Sequence, residues 1–205
     1  MNGLVCSGKA ESHAKNVFDI SARWRRPSWV GQSPDDNMDA EAKVDVTLDP
    51  DTAYTAEGQK VPQGDTQQEN LTDPPERFSD NHSVVGKQSF SSKIFYYEVQ
   101  VVEKTGWTLG VVRENVNRKE RLAWKPHYGF WTVSQLGNHY RANADTDVPL
   151  PLREKVEKVG VFVDYVEGLV SFYDVESRSH IYSFTGQSFN ENLYAYLFTW
   201  KNDVQ

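Results

Sequence analysis

Asp145 and Asp147 stand two residues apart in ANADTDVPLP. Alternating carboxylates open many calcium loops, but such a loop needs further oxygen ligands and a closing glutamate. Here the proline-bearing VPLP follows, so the pair reads as part of a solvated loop. Glu98 and Asp164 are carboxylates inside strand-like runs. Two carboxylates at the right separation can cleave a glycosidic bond, yet nothing in the sequence sets that separation, and structural roles fit them better. His127, His139 and His180 sit in or beside strand- and turn-like runs. A Ser-His-Asp triad assembles in space rather than in sequence, but no G-x-S-x-G elbow is present. These histidines read as surface or packing residues. Cys6 is the single cysteine and lies near the N-terminus. One cysteine with five scattered histidines cannot fill the four-ligand zinc sets of structural zinc domains. No G-x-x-x-x-G-K-[ST] or G-x-G-x-x-G run exists to cradle phosphates. The side chains therefore imply no enzyme, no metal site and no cofactor.

Binding chemistry is better represented. In WTLGVVRENVNRK, an apolar run gives way to a donor-rich one carrying Arg113, Asn115, Asn117, Arg118 and Lys119. This suits a solvated loop with a structural arginine, or the rim of a peptide pocket, where arginine and aromatic residues are enriched. Gly110 interrupts the apolar half. A glycine within a strand marks a place where another backbone or a large ring comes close. Gly160 in KVGVFVDY invites the same reading, which puts both strands in the tightly packed centre.

The elements that must hold these residues are strands. VDVTL alternates Val44, Val46 and Leu48 on one face. In IFYYEVQVV, the residues Phe95, Tyr97, Val99 and Val101 share a face. SVVG, WTLGVV, RLAW, FWTV, HYRA, KVGVFVDY, LVSFYDV, HIYSF and LYAYLF follow the same short pattern. Turns such as QLGN, DYVEG and ESRS separate them. No helix is predicted beyond residue 44. Many short strands joined by turns of this kind predict an antiparallel sandwich. Upstream, AESHAKNVFDISARW offers one or two helical turns before RRPSWVGQSPDDN breaks the pattern. Residues 1–43 read as a flexible extension. Trp24 and Trp29, beside Arg23, Arg25 and Arg26, leave open a docking role, since exposed tryptophans mark contact sites.

Charge narrows the partners. The chain has 205 residues and a formal net charge of -7. Residues 44–85 hold nine acidic and two basic side chains, while the segments on either side are balanced. There is no basic face for a phosphate backbone, so nucleic acid is not an expected partner. No apolar run is long enough to span a membrane. The start MNGLVCSGK lacks the apolar core of a secretory signal, and a lone cysteine implies no disulfide chemistry. A cytoplasmic location follows as the expectation. The acceptor tripeptides at Asn70 and Asn81 would matter only outside the cell.

VTLDPDTA, PPERF, WTLGVVRENVNRK, GFWTV, VGVFVDYVEGLVSFYDV and HIYSF occur in this order. Together they resemble the PRY-SPRY domain of tripartite-motif and butyrophilin-type proteins over roughly residues 44–198. The resemblance implies an all-β fold, a bent antiparallel β-sandwich of two sheets with concanavalin-like jelly-roll architecture. It divides the chain into an extension at 1–43, a PRY segment at 44–95 and a SPRY segment at 96–205. It also implies a protein-recognition module whose variable loops build the pocket, with a protein or peptide ligand, in ubiquitin-linked or innate immune pathways. Any ubiquitin transfer would need a RING that this sequence lacks. Lectin-like sandwiches and toxins with PRY-SPRY ends supply the alternative, a carbohydrate- or cell-surface-binding relative.

Three departures qualify the resemblance. Tyr97 stands where the family usually has tryptophan, and its hydroxyl wants a partner. The loop after GFWTV reads SQLGN and lacks tryptophan. The chain closes on LYAYLFTWKNDVQ without the usual final strand, which predicts unpaired backbone groups along one edge. From segments that line the pocket or vary in relatives, the expected partner-binding residues are Thr108, Arg113, Trp124, Ser134, Gln135, Leu136 and Tyr140.

Overall fold

The computed structural model describes residues 46–53, 75–79, 82–92, 94–102, 104–120 and 123–200, together with the backbone of 19–21. Eleven strands are described: β1 (Asp19–Ser21), β2 (Ser83–Phe90), β3 (Ile94–Gln100), β4 (Gly106–Arg113), β5 (Phe130–Leu136), β6 (His139–Ala142), β7 (Val148–Leu150), β8 (Lys158–Asp164), β9 (Leu169–Asp174), β10 (Ser179–Phe184) and β11 (Leu193–Thr199). They form two antiparallel sheets, a five-stranded one ordered β1-β3-β8-β9-β10 and a six-stranded one ordered β2-β11-β4-β5-β6-β7. The expected two-sheet sandwich is what the chain folds into. Among the described residues no helix is long and apolar enough to cross a membrane.

Alternation decides which residues meet between the sheets. Phe95, Tyr97 and Val99 of β3, with Val161, Val163 and Phe172 from β8 and β9, face Trp107, Leu109 and Val111 of β4 and Leu193, Ala195 and Leu197 of β11. A second apolar cluster lies on the far side of the six-stranded sheet. Val112, Phe130, Tyr196, Phe198 and Val85 are covered there by Phe78 and Val116. That double cover explains why β4 is buried on both faces and reads as an almost unbroken apolar run.

Gly110 meets the sequence expectation. Its φ is +149°, and a Cβ placed there would lie 2.1 Å from the Trp131 carbonyl oxygen and 3.0 Å from Phe172 Cζ. Close by, the Tyr97 hydroxyl donates to the Gly110 carbonyl and ties β3 to β4 across the core. The hydroxyl that tyrosine adds at this position thus finds its partner. Gly160 also meets the expected close approach of a ring, but on the other face of its sheet. A Cβ there would collide with the Tyr96 ring, and Tyr96 belongs to a separate cluster with Phe162 rather than to the inter-sheet core. Gly160 makes room for a ring on the outer face of the five-stranded sheet.

Other local differences have physical causes. In RLAW, Ala123 and Trp124 are irregular rather than strand, and Arg121 and Leu122 lie outside the described residues. Of VDVTL, Val44 and Asp45 lie outside the described residues, and the described remainder contributes one bridge, Leu48 to Gly86. VPLP, read as loop, supplies β7 at the sheet edge, a position where Pro149 can forgo a ladder donor. Asp19–Ser21 pairs as strand rather than helix. β11 is hydrogen-bonded on both sides, to β2 and to β4. Cys6, Trp24, Trp29, Asn70 and Asn81 lie outside the described residues.

Candidate functional site

Register places a continuous surface on the outer face of the six-stranded sheet. One row runs Phe198, Thr108, Ser134, Arg141, Pro149 across β11, β4, β5, β6 and β7. The neighbouring row sets Gly106 against Leu136 and Leu136 against His139. Just past β11, the Trp200 backbone N–H donates to the Gly106 carbonyl. The Trp200 ring lies over Gly106, where a Cβ would come within 2.5 Å of its Cδ1. Glycine leaves the room for this indole to rest against the strand.

The floor is polar and satisfied. Thr108 Oγ1 and Ser134 Oγ are 2.8 Å apart. The Asn143 amide donates to Thr132 Oγ1 at 2.9 Å and to Ser134 Oγ at 2.7 Å. All four residues are buried, and their hydroxyls and the Asn143 N–H groups are engaged with one another. The wall is aromatic. Trp124 packs against Phe198, with centroids 5.0 Å apart, and edge-on to Trp200 at 6.4 Å. Trp124 Nε1 donates to the Tyr196 hydroxyl at 2.8 Å, and Ser83 Oγ lies 2.9 Å from the same hydroxyl. Because tryptophan can only donate, the Tyr196 proton is free to go to Ser83. Burial pushes the Tyr196 pKa well above the usual phenol value, against the lowering effect of both hydrogen bonds.

Tyr196→Phe removes both bonds and leaves two groups unsatisfied. It should cost about 1–3 kcal/mol in urea unfolding. A loss near zero would show that Trp124 is held by packing alone.

Around this patch runs a charged rim. Lys125 Nζ donates to the Ala144 carbonyl at 2.8 Å and to Asp147 at 2.5 Å. Arg141 reaches the same carboxylate at 3.4 Å, and His127 Nδ1 meets Asp145 at 2.9 Å. Both aspartates of ANADTD are thus engaged by cations or imidazole. Among the described residues no group of three or more His, Cys, Asp and Glu is placed to hold a metal ion. Elsewhere, His180 Nε2 approaches Ser183 Oγ at 2.7 Å. The edge-on ring beside that imidazole is Tyr173, not the carboxylate that orients a catalytic histidine.

The expected site residues separate into three groups. Thr108 and Ser134 form the floor, Trp124 the wall and Leu136 the lip. Leu136 is 56% exposed and Trp200 41%. Gln135 and Tyr140 pair with Trp107 and each other on the inward face, and Tyr140 packs edge-on to Trp107 in the core. The Tyr140 hydroxyl accepts the Val156 N–H at 3.1 Å. Arg113 ends β4 away from the patch, and its side chain lies across Gly129. Trp200 and Asn143 were not singled out from sequence. Trp200 had a visible signal, because Tyr194, Tyr196, Phe198 and Trp200 recur at every second residue.

The SPRY domain family matches residues 94–205. The chain is 40% identical over 161 residues to butyrophilin subfamily 1 member A1 of Bos taurus, covering 77% of this chain and 31% of the relative. It is 43% identical over 160 residues to E3 ubiquitin-protein ligase TRIM68 of Homo sapiens, covering 75% and 33%. It spans about a third of the length of these curated relatives. Among solved structures, the TRIM65 PSpry domain aligns with a TM-score of 0.51 at 22% identity, over 60% of this chain and 68% of that one. Stonustoxin aligns with a TM-score of 0.54 at 22% identity, over 63% and 22%. These two likenesses concern the fold alone.

Proposed function

The chain belongs to the SPRY family, in the PRY-SPRY form of the tripartite-motif and butyrophilin type, and from that premise we propose that it is a non-catalytic protein-recognition module. Its ligand face is the outer side of the six-stranded sheet. The observation that carries this reading is the exposed Trp200–Leu136 pair, backed by the half-buried Trp124, over a floor whose hydroxyls and amide N–H groups bond one another. A sugar needs free donors and acceptors. An apolar side chain of a peptide needs the reverse, a dry aromatic wall with no unmet polar demand. The patch supports the second. Thr108, Ser134 and Trp124 shape the contact, Leu136 and Trp200 make it, and Arg113, Gln135 and Tyr140 hold the strands behind it. Similarity to a ubiquitin ligase over most of the chain supports a role as the target-selecting part of a ubiquitin-linked or innate immune assembly in the cytoplasm.

Peptides selected from a displayed library against the full chain test the assignment. Trp200→Ala and Leu136→Asp should each weaken the selected peptides at least about tenfold, or about 1.4 kcal/mol. Val166→Asp, at an 80% exposed position in the β8–β9 turn, should leave them unchanged. Binders indifferent to Trp200 and Leu136 would move the ligand face elsewhere.

A further inference from the structure

β3 is paired unequally on its two sides. β8 matches all seven of its residues, from Ile94↔Asp164 to Gln100↔Lys158. On the other side, the described pairing is with β1 alone: Asp19↔Gln100, Ile20↔Val99 and Ser21↔Glu98. Phe95, Tyr97 and Val99 are anchored in the core, so β3 cannot twist its edge away from a neighbour. An edge held straight in this way is a template for any extended chain, because the contact is made by backbone groups.

We infer that the outer edge of β3 is a strand-addition site whose built-in occupant is Asp19–Ser21. The N-terminal segment guards this edge, and an extended, proline-free peptide takes its place when the guard is withdrawn. The site lies on the five-stranded sheet, whereas the proposed ligand face lies on the other, so the two can fail independently.

The test uses the full chain with Ile20→Pro and Ser21→Pro combined. Successive residues of an antiparallel strand alternate in whether they bond the partner, so one of the two prolines must remove a donor to β3. In hydrogen exchange, the β3 amides that bond β1, within residues 98–100, should lose protection at least about tenfold, while residues 169–174 keep theirs and report an intact fold. A labelled peptide of Asn16–Arg23 should bind this variant at least about tenfold more tightly than the unmodified chain, where the site is already filled. Unchanged exchange in β3, equal peptide binding to both chains, or binding to neither would overturn the inference. A second variant checks the register without proline. With Cys6→Ser, Ser21→Cys and Glu98→Cys stand directly opposite, about 4.5–5.5 Å apart at Cα, within disulfide reach. Ser21→Cys with Ile94→Cys is offset by about 13 Å. Cross-linking of the first pair alone supports the site, and equal cross-linking of both, or of neither, overturns it.

Discussion

A Gly110→Ala chain is expected to lose about 4 kcal/mol of stability, the sum of an overpacking cost and a backbone-strain cost. The added carbon would sit 2.1 Å from the Trp131 carbonyl oxygen and 2.9 Å from Thr132 Cα, both backbone atoms of the adjacent strand β5. Neither can rotate away, so the β4–β5 ladder itself must open. On the opposite side Phe172 Cζ lies at 3.0 Å, and that ring is fully buried. Overpacking of this kind costs about 1–3 kcal/mol or more, and a side chain at φ +149° adds about 1–3 kcal/mol of backbone strain. Domains of this size hold roughly 5–15 kcal/mol in total. Gly137→Ala separates the two contributions. Gly137 also has a positive φ, +59°, but nothing lies within 4 Å of its missing Cβ. That variant should lose only the strain, about 1 kcal/mol. Urea unfolding of the three chains decides the matter. If Gly110→Ala costs no more than Gly137→Ala, the close approach is not tight in solution.

Gly110 was legible in sequence because a glycine inside an apolar strand has few explanations. Gly160 obeyed the same rule, but the rule does not say which face the intruding ring occupies. That depends on the parity of Tyr96, which shares the outer face with Glu98 rather than the inner face with Tyr97. The two-sheet architecture followed from alternation and turn spacing. Trp124 did not, because RLAW satisfies a strand pattern while its actual position depends on a bond from Nε1 to Tyr196, 72 residues away. No local rule reaches that far. Asn143 was hidden for another reason. In ANADTD the two aspartates drew the chemical reading outward, while the buried amide of Asn143 joins Thr132 and Ser134 into one network. Gln135 and Tyr140 belong to segments that line pockets in relatives. In a strand, however, every second residue faces the other way, and both face inward here.

Alkaline unfolding should be steep, and its cause is the pair of tyrosines in the core. Tyr97 and Tyr196 are fully buried, and burial pushes both pKa values far above the phenol value of an unfolded chain. Tyr96 is shifted in the same sense by burial and by Glu98. The direction of the effect follows from proton counting. Below pH 10 both states hold these protons, and the contribution to stability is complete. Above pH 10 the unfolded chain releases them while the folded chain cannot, so the unfolded state binds fewer protons and stability falls as pH rises. From Tyr97 and Tyr196 alone the slope is about -2.7 kcal/mol per pH unit, and Tyr96 steepens it. Groups with equal pKa values in both states cancel. A stability of roughly 5–15 kcal/mol is therefore consumed within a few pH units above 10. Urea unfolding between pH 9 and 11.5 measures the slope, and tyrosinate absorbance followed with circular dichroism shows when the rings ionise. Tyr97→Phe and Tyr196→Phe should each reduce the slope by about 1.4 kcal/mol per pH unit, whatever they do to stability at neutral pH. Were all ten tyrosines to titrate near pH 10 with the native dichroism intact, the core hydroxyls would have to be reachable by water. The Tyr97 tie across the two sheets would then be an open contact rather than a closed one.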